Sequence, residues 1–410
     1  MSDNRKLNIL IVHNYYQLPG GEDTVVFNEK RMLEEHGHTV VLYSRDNNEL
    51  KDMSIRHKFV FPYITIFNPR TYREIRKIIK ENNIDIVHVH NTLSFISPSV
   101  YYAALSMKIP VVQTVHNFRL LCPGAAFYRD GHVCEDCVER GLGCAVKHGC
   151  YRGSRVQTLA CVVSMMFHRM TGIYGKLNYI CLTEFNKRKI LKLKQIKEEK
   201  VFIKPNFTYE TKYSKAEGSL RDGSDIERNR KKQILYVGRL EKIKGIDILL
   251  RAWKQIEEKQ GKGRPKLIIC GTGPMEEWCG RFIGDNGLKS VEMLGYVSNE
   301  AVKKMLSESM ALILPTQCYE GFPMTILEAY SVGTPVLGAD IGNTGCLIQD
   351  NVTGLRFRHN DCNAIEQAVE WALKCRCNSI LQFYREHYSE GNNYNEILYI
   401  YNEVIESVQK

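Results

Sequence analysis

The sequence has no unbroken apolar run near the roughly 20 residues that a membrane-spanning helix needs, which excludes a helical membrane protein. Its longest apolar candidate, Leu159 to Phe167, is about half that length and predicts a buried helix. The opening residues, MSDNRKLNILIVHN, lack the basic, apolar and small-residue segments of a secretory signal and run straight into a strand-like stretch. The expected location is therefore the cytoplasm. Also missing are a complete GxGxxG fingerprint with its acidic partner and any motif interleaving aromatic with basic residues as a nucleic-acid platform. Nucleic-acid binding is suggested only by the net charge of +10, which suits an anionic membrane or a phosphate-bearing substrate equally well.

Fourteen cysteines are present, but a reducing cytosol and a chain of this size argue against a disulfide framework. Cys181 and Cys270 lie in apolar strand-like runs and read as core.

The 410 residues, 44% hydrophobic and 25% charged, are too many for one core and too apolar for disorder. Short β-rich runs alternate with helical patterns nearly end to end. Strands are expected at Leu7–His13, Thr39–Tyr43, Ile84–His90, Pro110–His116, Tyr179–Thr183 and Val201–Lys204. The pattern lapses in a polar stretch, residues 208–232, that reads as a linker or exposed excursion. It then restarts with strands at Ile234–Val237, Lys266–Cys270, Val291–Leu294, Ala311–Leu314 and Pro335–Leu337. Two doubly wound α/β domains are predicted, residues 1–207 and 233–387, followed by a terminal helix over 388–410. Ligands of such sheets bind beyond the carboxyl ends of the strands.

Three loops of the second domain lie there. In ILYVGRLEKIKGIDILL a strand ends at Gly238, and Arg239 and Lys244 flank the turn that opens a helix. A forked guanidinium and a point-charge ammonium so placed suit a diphosphate, although both also suit a solvated surface. In LIICGTGP, Gly271 and Gly273 permit close backbone approach directly after a strand. In ALILPTQCYEGFPMTILEAYSVGTPVLGAD, a loop brings Glu320 and Gly321 and a helix carries Glu328. Eight helical residues would separate the two carboxylates by about 12 Å, near the length of a diphosphate bridge. A helix N-terminus between them would face phosphates. Alternatively, Glu328 is an ordinary acid on a helix surface.

This ordered set resembles the C-terminal domain of retaining family 4 glycosyltransferases, and the resemblance extends over essentially the whole chain. It implies a GT-B fold, with two Rossmann-like domains facing a cleft, and transfer of a hexosyl group from a nucleotide-sugar donor. EGFPMTILE looks like the family's paired-glutamate motif. By that resemblance Arg239 and Lys244 hold the diphosphate, Glu320 addresses the transferred sugar and Glu328 the ribose. Gly238, Gly271, Gly273, Gly321, Phe322, Met324 and Thr325 line the donor. Gly20 and Gly21 look like the family's glycine loop, and His116 in VVQTVHN stands where the family places a histidine near the donor sugar. The terminal stretch NNYNEILYIYNEVIESV resembles the helix that crosses back to the first domain. One departure is visible: Asn343 and Cys346 replace a glycine and a glutamate found in many members, which leaves that loop's backbone geometry open.

The resemblance further implies retention of configuration, with His116 and Glu320 orienting the donor sugar, Arg239 and Lys244 stabilising the departing diphosphate, and no metal required for catalysis. The acceptor would be a glycan or a lipid-linked molecule, in surface polysaccharide biosynthesis. A nucleotide-sugar epimerase on the same fold fits the motif order less well, and a basic nucleic-acid-binding protein is the rival outside enzymes.

Residues 122–150 form a cysteine-rich loop. Cys134, Cys137, Cys144 and Cys150 suit a structural zinc, with His132 or His148 as substitutes, while an unmetallated loop is an equal reading. Two cationic stretches, Arg70, Arg73, Arg76, Lys77, Lys80 and then Lys187, Arg188, Lys189, Lys192, Lys194, Lys197, are solvated helix faces or contacts for the anionic inner face of a membrane.

Overall fold

The computed structural model describes residues 5–17, 20–51, 53–214, 230–260, 264–375, 377 and 379–409. It contains two compact units. The first comprises Met1–Ala126, Glu135–Phe207 and Glu390–Lys410; the second comprises Phe127–Cys134 and Thr208–Ser389.

In the first unit six strands pair in parallel: β1 (Asn8–Tyr15), β2 (Thr39–Asp46), β3 (Ile86–Asn91), β4 (Val111–Val115), and, after a short hairpin, β7 (Asn178–Cys181) and β8 (Val201–Ile203). The hairpin, β5 (Tyr128–Arg129) and β6 (His132–Val133), groups with the second unit. The order β2-β1-β3-β4-β7-β8 reverses chain direction of growth between β1 and β3. Both faces of these strands are covered, which is why Ile9, Leu10, Ile11 and Val12 read as a continuous apolar run and are all fully buried. The terminal helix Glu390–Gln409 belongs here too. Its buried Tyr394, Ile397, Ile400, Tyr401 and Val404 fall on one helical stripe.

The second unit has its own parallel sheet: β9 (Lys231–Val237), β10 (Lys266–Cys270), β11 (Val291–Gly295), β12 (Ser309–Leu314), β13 (Val336–Ala339) and β14 (Gly354–Phe357), in the order β11-β10-β9-β12-β13-β14. The helix Ile246–Gln260 buries Trp253 completely, and the indole Nε1 donates to Ser290 Oγ at 3.0 Å.

Four expectations need correction. The helix over Leu159–Phe167 extends from Arg155 to Met170, and it is not buried: Leu159, Val163, Met166 and Phe167 are exposed. The stretch after Pro335 is not a plain loop, because it contains the helix Gly342–Leu347 and β14. Within the expected linker, residues 215–229 lie outside the described residues, but Thr208 and Ser214 are buried rather than exposed, and Tyr384 OH donates to the Thr208 carbonyl. The helix bearing Glu328 spans only Met324–Tyr330, so Glu320 lies in the preceding loop and the two carboxylates are not separated by eight helical residues.

Candidate active site

In the second unit the strand order reverses between β9 and β12, and the loops that follow those two strands carry the charged groups. Lys244 Nζ lies 2.7 Å from both carboxylate oxygens of Glu320, and Thr316 Oγ1 donates to Glu320 at 3.0 Å. Burial works against the Lys244 charge, but the Glu320 carboxylate outweighs it and holds the ammonium pKa above its ordinary value. Arg239 stands half-exposed and pairs with Glu241 at 2.6 Å. Glu328 is not part of this pair. Burial raises its carboxyl pKa, and the charge opposing that shift is Lys303.

The backbone explains why glycines recur. Gly245 has φ +75°, and a Cβ there would stand 1.9 Å from the Pro315 carbonyl oxygen. Gln317 N–H donates to Ile243 O at 2.9 Å across the same junction, so the Lys244 turn and the Glu320 loop are laced together. Gly271, at φ +142°, would place a Cβ 1.9 Å from the Gly238 oxygen. Gly238 and Gly271 are thus locked by loop-to-loop contact.

The departure at Asn343 has a structural counterpart. Its side chain is fully buried, and Nδ2 donates to the carbonyls of Glu320 at 2.7 Å and Gly321 at 2.5 Å. Asn343 therefore holds the backbone that presents Glu320, a role that a glycine could not fill. Phe322 and Met324 are buried beside that loop.

In the first unit His116 follows β4, and His90 sits near the end of β3. His116 Nε2 is 2.8 Å from His90 Nδ1, with the rings stacked at 5.1 Å. Burial pushes both imidazoles well below their ordinary pKa, with neighbouring histidines and Lys204 reinforcing it, so the contact joins two neutral rings. Behind His90, Glu29 Oε2 lies 3.4 Å from its Nε2, and Glu29 Oε1 accepts from Lys204 Nζ at 2.7 Å. His88 completes the group, bonded at 2.7 Å both to Tyr401 OH and to Thr114 Oγ1. The alternation of a strand puts His88 and His90 on one face.

Glu29, His88 and His90 converge with ligand atoms within 4.8 Å, among the described residues. Both ring nitrogens of His88 are already bonded, to a phenol and a hydroxyl, and Lys204 and His116 engage Glu29 Oε1 and His90 Nδ1, whereas Glu29 Oε2 and His90 Nε2 face each other at 3.4 Å without a hydrogen-bond partner. Of the cysteines proposed for a structural zinc, Cys137, Cys144 and Cys150 lie in the first unit and Cys134 groups with the second. Cys137 and Cys150 pack against Leu142, Ala145, Val162 and Met165.

The glycine loop contains groups that the sequence reading passed over. Gly20 and Gly21 are exposed, and a Cβ at Gly20 would meet nothing within 4 Å. Next to them Glu22 accepts from Tyr16 OH at 2.9 Å, and burial raises its carboxyl to about 8. Asp23 meets the buried His13 at 2.7 Å. Two adjacent acids in a first helical turn are common dipole partners; only the fold buries one of them. The available signal for the histidine group was the HVH spacing at the end of β3.

The basic stretches are partly charge-paired. Arg70 meets Glu74 at 2.7 Å and Lys77 meets Glu81 at 3.8 Å, while Lys187 pairs with Glu198 at 3.1 Å and Lys189 with Glu135. Among the described residues no helix is long and apolar enough to cross a membrane.

Comparison with known proteins follows the same division. Residues 223–390 match the family model for glycosyl transferases group 1, and residues 19–132 match that for glycosyltransferase family 4. An uncharacterized glycosyltransferase of Methanocaldococcus jannaschii is 23% identical over 88% of this chain and 87% of its own length. A second from that organism is 32% identical over 35% of this chain, and the amylovoran biosynthesis glycosyltransferase AmsK of Erwinia amylovora is 30% identical over 32%. These last two matches span only 36% and 34% of the relatives' own lengths. Among solved structures, a glycosyltransferase from Rickettsia africae aligns over 98% of this chain and 99% of its own, with a TM-score of 0.66 and 18% identity. Anabaena HepE in complex with UDP-glucose aligns over 98% and 99%, with a TM-score of 0.62 and 14% identity.

Proposed function

The chain belongs to glycosyltransferase family 4, with a GT-B fold, and from that premise we propose that it transfers a hexosyl group from a nucleotide-sugar donor with retention of configuration. The observation that carries the proposal is the pairing of Lys244 with Glu320 in the loops at the switch point of the second sheet. In this reading Lys244 and Arg239 stabilise the charge developing on the departing diphosphate. Glu320 then exchanges its ammonium partner for hydroxyls of the donor sugar, and Glu328 takes the ribose. His116 orients the sugar. The acceptor hydroxyl attacks from the face that the diphosphate leaves, its proton passing to the departing phosphate oxygen. A neighbour solved with UDP-glucose supports a nucleotide-sugar donor, and the likeness to an amylovoran biosynthesis enzyme supports a role in surface polysaccharide assembly. The place of action is the cytoplasm, including the inner face of the membrane.

The test is thermal stability against UDP-, GDP-, ADP-, CMP- and dTDP-sugars, with Glu328→Ala alongside. A donor at 100 times its dissociation constant adds about 2.7 kcal/mol to the folded state. A shift with one nucleotide class, weakened in the variant, supports the reading, and the anomeric configuration of the product then decides retention. No shift with any donor overturns it. The structural zinc is a separate proposal for Cys134, Cys137, Cys144 and Cys150: purified protein containing one zinc that Cys137→Ser loses would support it, and metal-free folded protein would reject it.

A further inference from the structure

The Glu29 carboxylate is held from one side by a buried cation. Its Oε1 accepts from Lys204 Nζ at 2.7 Å, and the same ammonium meets Asn393 Oδ1 at 2.9 Å, so turning the carboxylate away would strand a charge. Oε2 is thereby fixed 3.4 Å from His90 Nε2 and 3.7 Å from His88 Nδ1, with no hydrogen-bond partner of its own. His88 has both nitrogens bonded, to Tyr401 OH and Thr114 Oγ1, and His13 turns its Nε2 to Asp23 at 2.7 Å. His90 is the ring left to face the carboxylate.

A neutral imidazole carries one N–H and one bare nitrogen. A bare Nε2 on His90 would set a lone pair against a carboxylate oxygen where little water screens it, whereas a protonated Nε2 sets N–H against it. The proton of His90 therefore belongs on Nε2. Its Nδ1 is then bare and accepts from His116 Nε2 at 2.8 Å. The single proton of His116 is committed to that bond, and its Nδ1 remains a lone pair. This nitrogen has no protein partner among the described residues, and His116, half-buried after β4, lines a cavity of about 360 Å³.

We propose that Glu29, through His90, fixes His116 as a hydrogen-bond acceptor, and that the site thereby selects a sugar presenting a hydroxyl or amino group there over one presenting a carboxylate. Glu29 and His90 are positioning residues; His116 alone meets the sugar. The selection rests on the glycosyltransferase reading, while the proton arrangement stands on the first unit by itself. The carboxylate of a uronic acid would place an anion against a bare lone pair, with no ring proton to receive it. Lys204 makes the arrangement reversible by substitution. In Glu29→Gln the ammonium retains the amide carbonyl, which turns the amide NH2 toward His90. His90 Nε2 then accepts, its Nδ1–H donates to His116 Nε2, and His116 Nδ1 becomes the N–H.

The experiment is nitrogen NMR on the full-length protein carrying isotope-labelled histidine, which separates protonated from bare ring nitrogens, with His116→Gln and His90→Gln identifying the signals. The parent is expected to show both rings bare at Nδ1 and protonated at Nε2, and Glu29→Gln to exchange the two positions in both rings. A protonated Nδ1 on His116 in the parent overturns the relay without recourse to any Glu29 variant. So does a folded Glu29→Gln with unchanged protons, which would make Glu29 structural only. On the same samples, affinity is measured for UDP-glucose against UDP-glucuronate and for GDP-mannose against GDP-mannuronate. The neutral member is expected to bind at least about tenfold tighter, and Glu29→Gln to narrow that ratio to less than about threefold. Equal affinities in the parent, a preference for the uronate, or a ratio unmoved by exchanged protons would overturn the selection. No binding of any sugar nucleotide would overturn the glycosyltransferase reading and the selection with it, while the spectrum still decides the relay.

Discussion

Lys204 Nζ stands 2.7 Å from Glu29 Oε1, with neither side chain exposed to solvent although 175 residues separate them. The ammonium also meets Asn393 Oδ1 at 2.9 Å, so one buried charge joins the helix after β1, the end of β8 and the terminal helix. A buried pair adds little net stability over apolar residues of the same volume, but removing one partner strands the other. Lys204→Met is therefore expected to lose about 3–5 kcal/mol in urea unfolding. The double variant with Glu29→Gln should be less destabilised than Lys204→Met alone. Simple additivity of the two single losses would show that the pair is not coupled.

His90 is expected to act through His116. Replacing it by Phe removes the 2.8 Å contact that orients the His116 ring. Loosening a substrate-orienting group lowers turnover on the order of 100-fold. The donor-induced thermal shift should survive, because Arg239 and Lys244, the groups proposed to hold the diphosphate, lie in the other unit. Full activity in His90→Phe would show that His116 is oriented without it.

Gly245 and Gly20 should behave oppositely. Alanine at Gly245 meets the Pro315 oxygen at 1.9 Å with φ +75°, and a loss of about 3 kcal/mol is expected. Alanine at Gly20 meets nothing within 4 Å, so stability should stay within about 0.5 kcal/mol of the parent. If activity falls in Gly20→Ala at unchanged stability, the backbone there approaches substrate.

Acid should destabilise the fold through histidines. Burial lowers His88 and His168 from 6.5 to about 4. Between those values the unfolded chain binds protons that the folded chain does not, so their contribution is complete above pH 6.5 and falls as pH drops toward 4. His168 already uses both ring nitrogens, with Tyr102 OH at 3.0 Å and Ile66 O at 2.9 Å. Melting temperature should decline over that window, and less steeply in His168→Gln. A parallel decline in the variant would assign the effect to other groups.

Glu22 should give the reverse slope. Its carboxyl is raised from 4.5 to about 8, chiefly by burial. The folded state then holds a proton that the unfolded chain releases, so this contribution is complete below pH 4.5 and is lost as pH rises through 8. Glu22→Gln should flatten the alkaline side of the stability profile. An identical profile in the variant would contradict the shift.

By itself the sequence determined the alternation of strands and helices, the two-domain division and the three strand-end loops, because buried parallel strands and strand-to-helix turns leave periodic and local marks. It also marked Lys244, Glu320 and His116, whose side chains the fold places in tight polar contacts. Only the tertiary structure decided the rest. Glu29 with Lys204, and Asn343 with the Glu320 backbone, are pairings between residues distant in the chain, and no local spacing encodes them. The apolar run Leu159–Phe167 predicts a buried helix, yet Leu159, Val163, Met166 and Phe167 are exposed, for the same reason. An apolar helical run has one appearance in sequence whether its second face meets a core or the solvent, and that choice belongs to the packing around it.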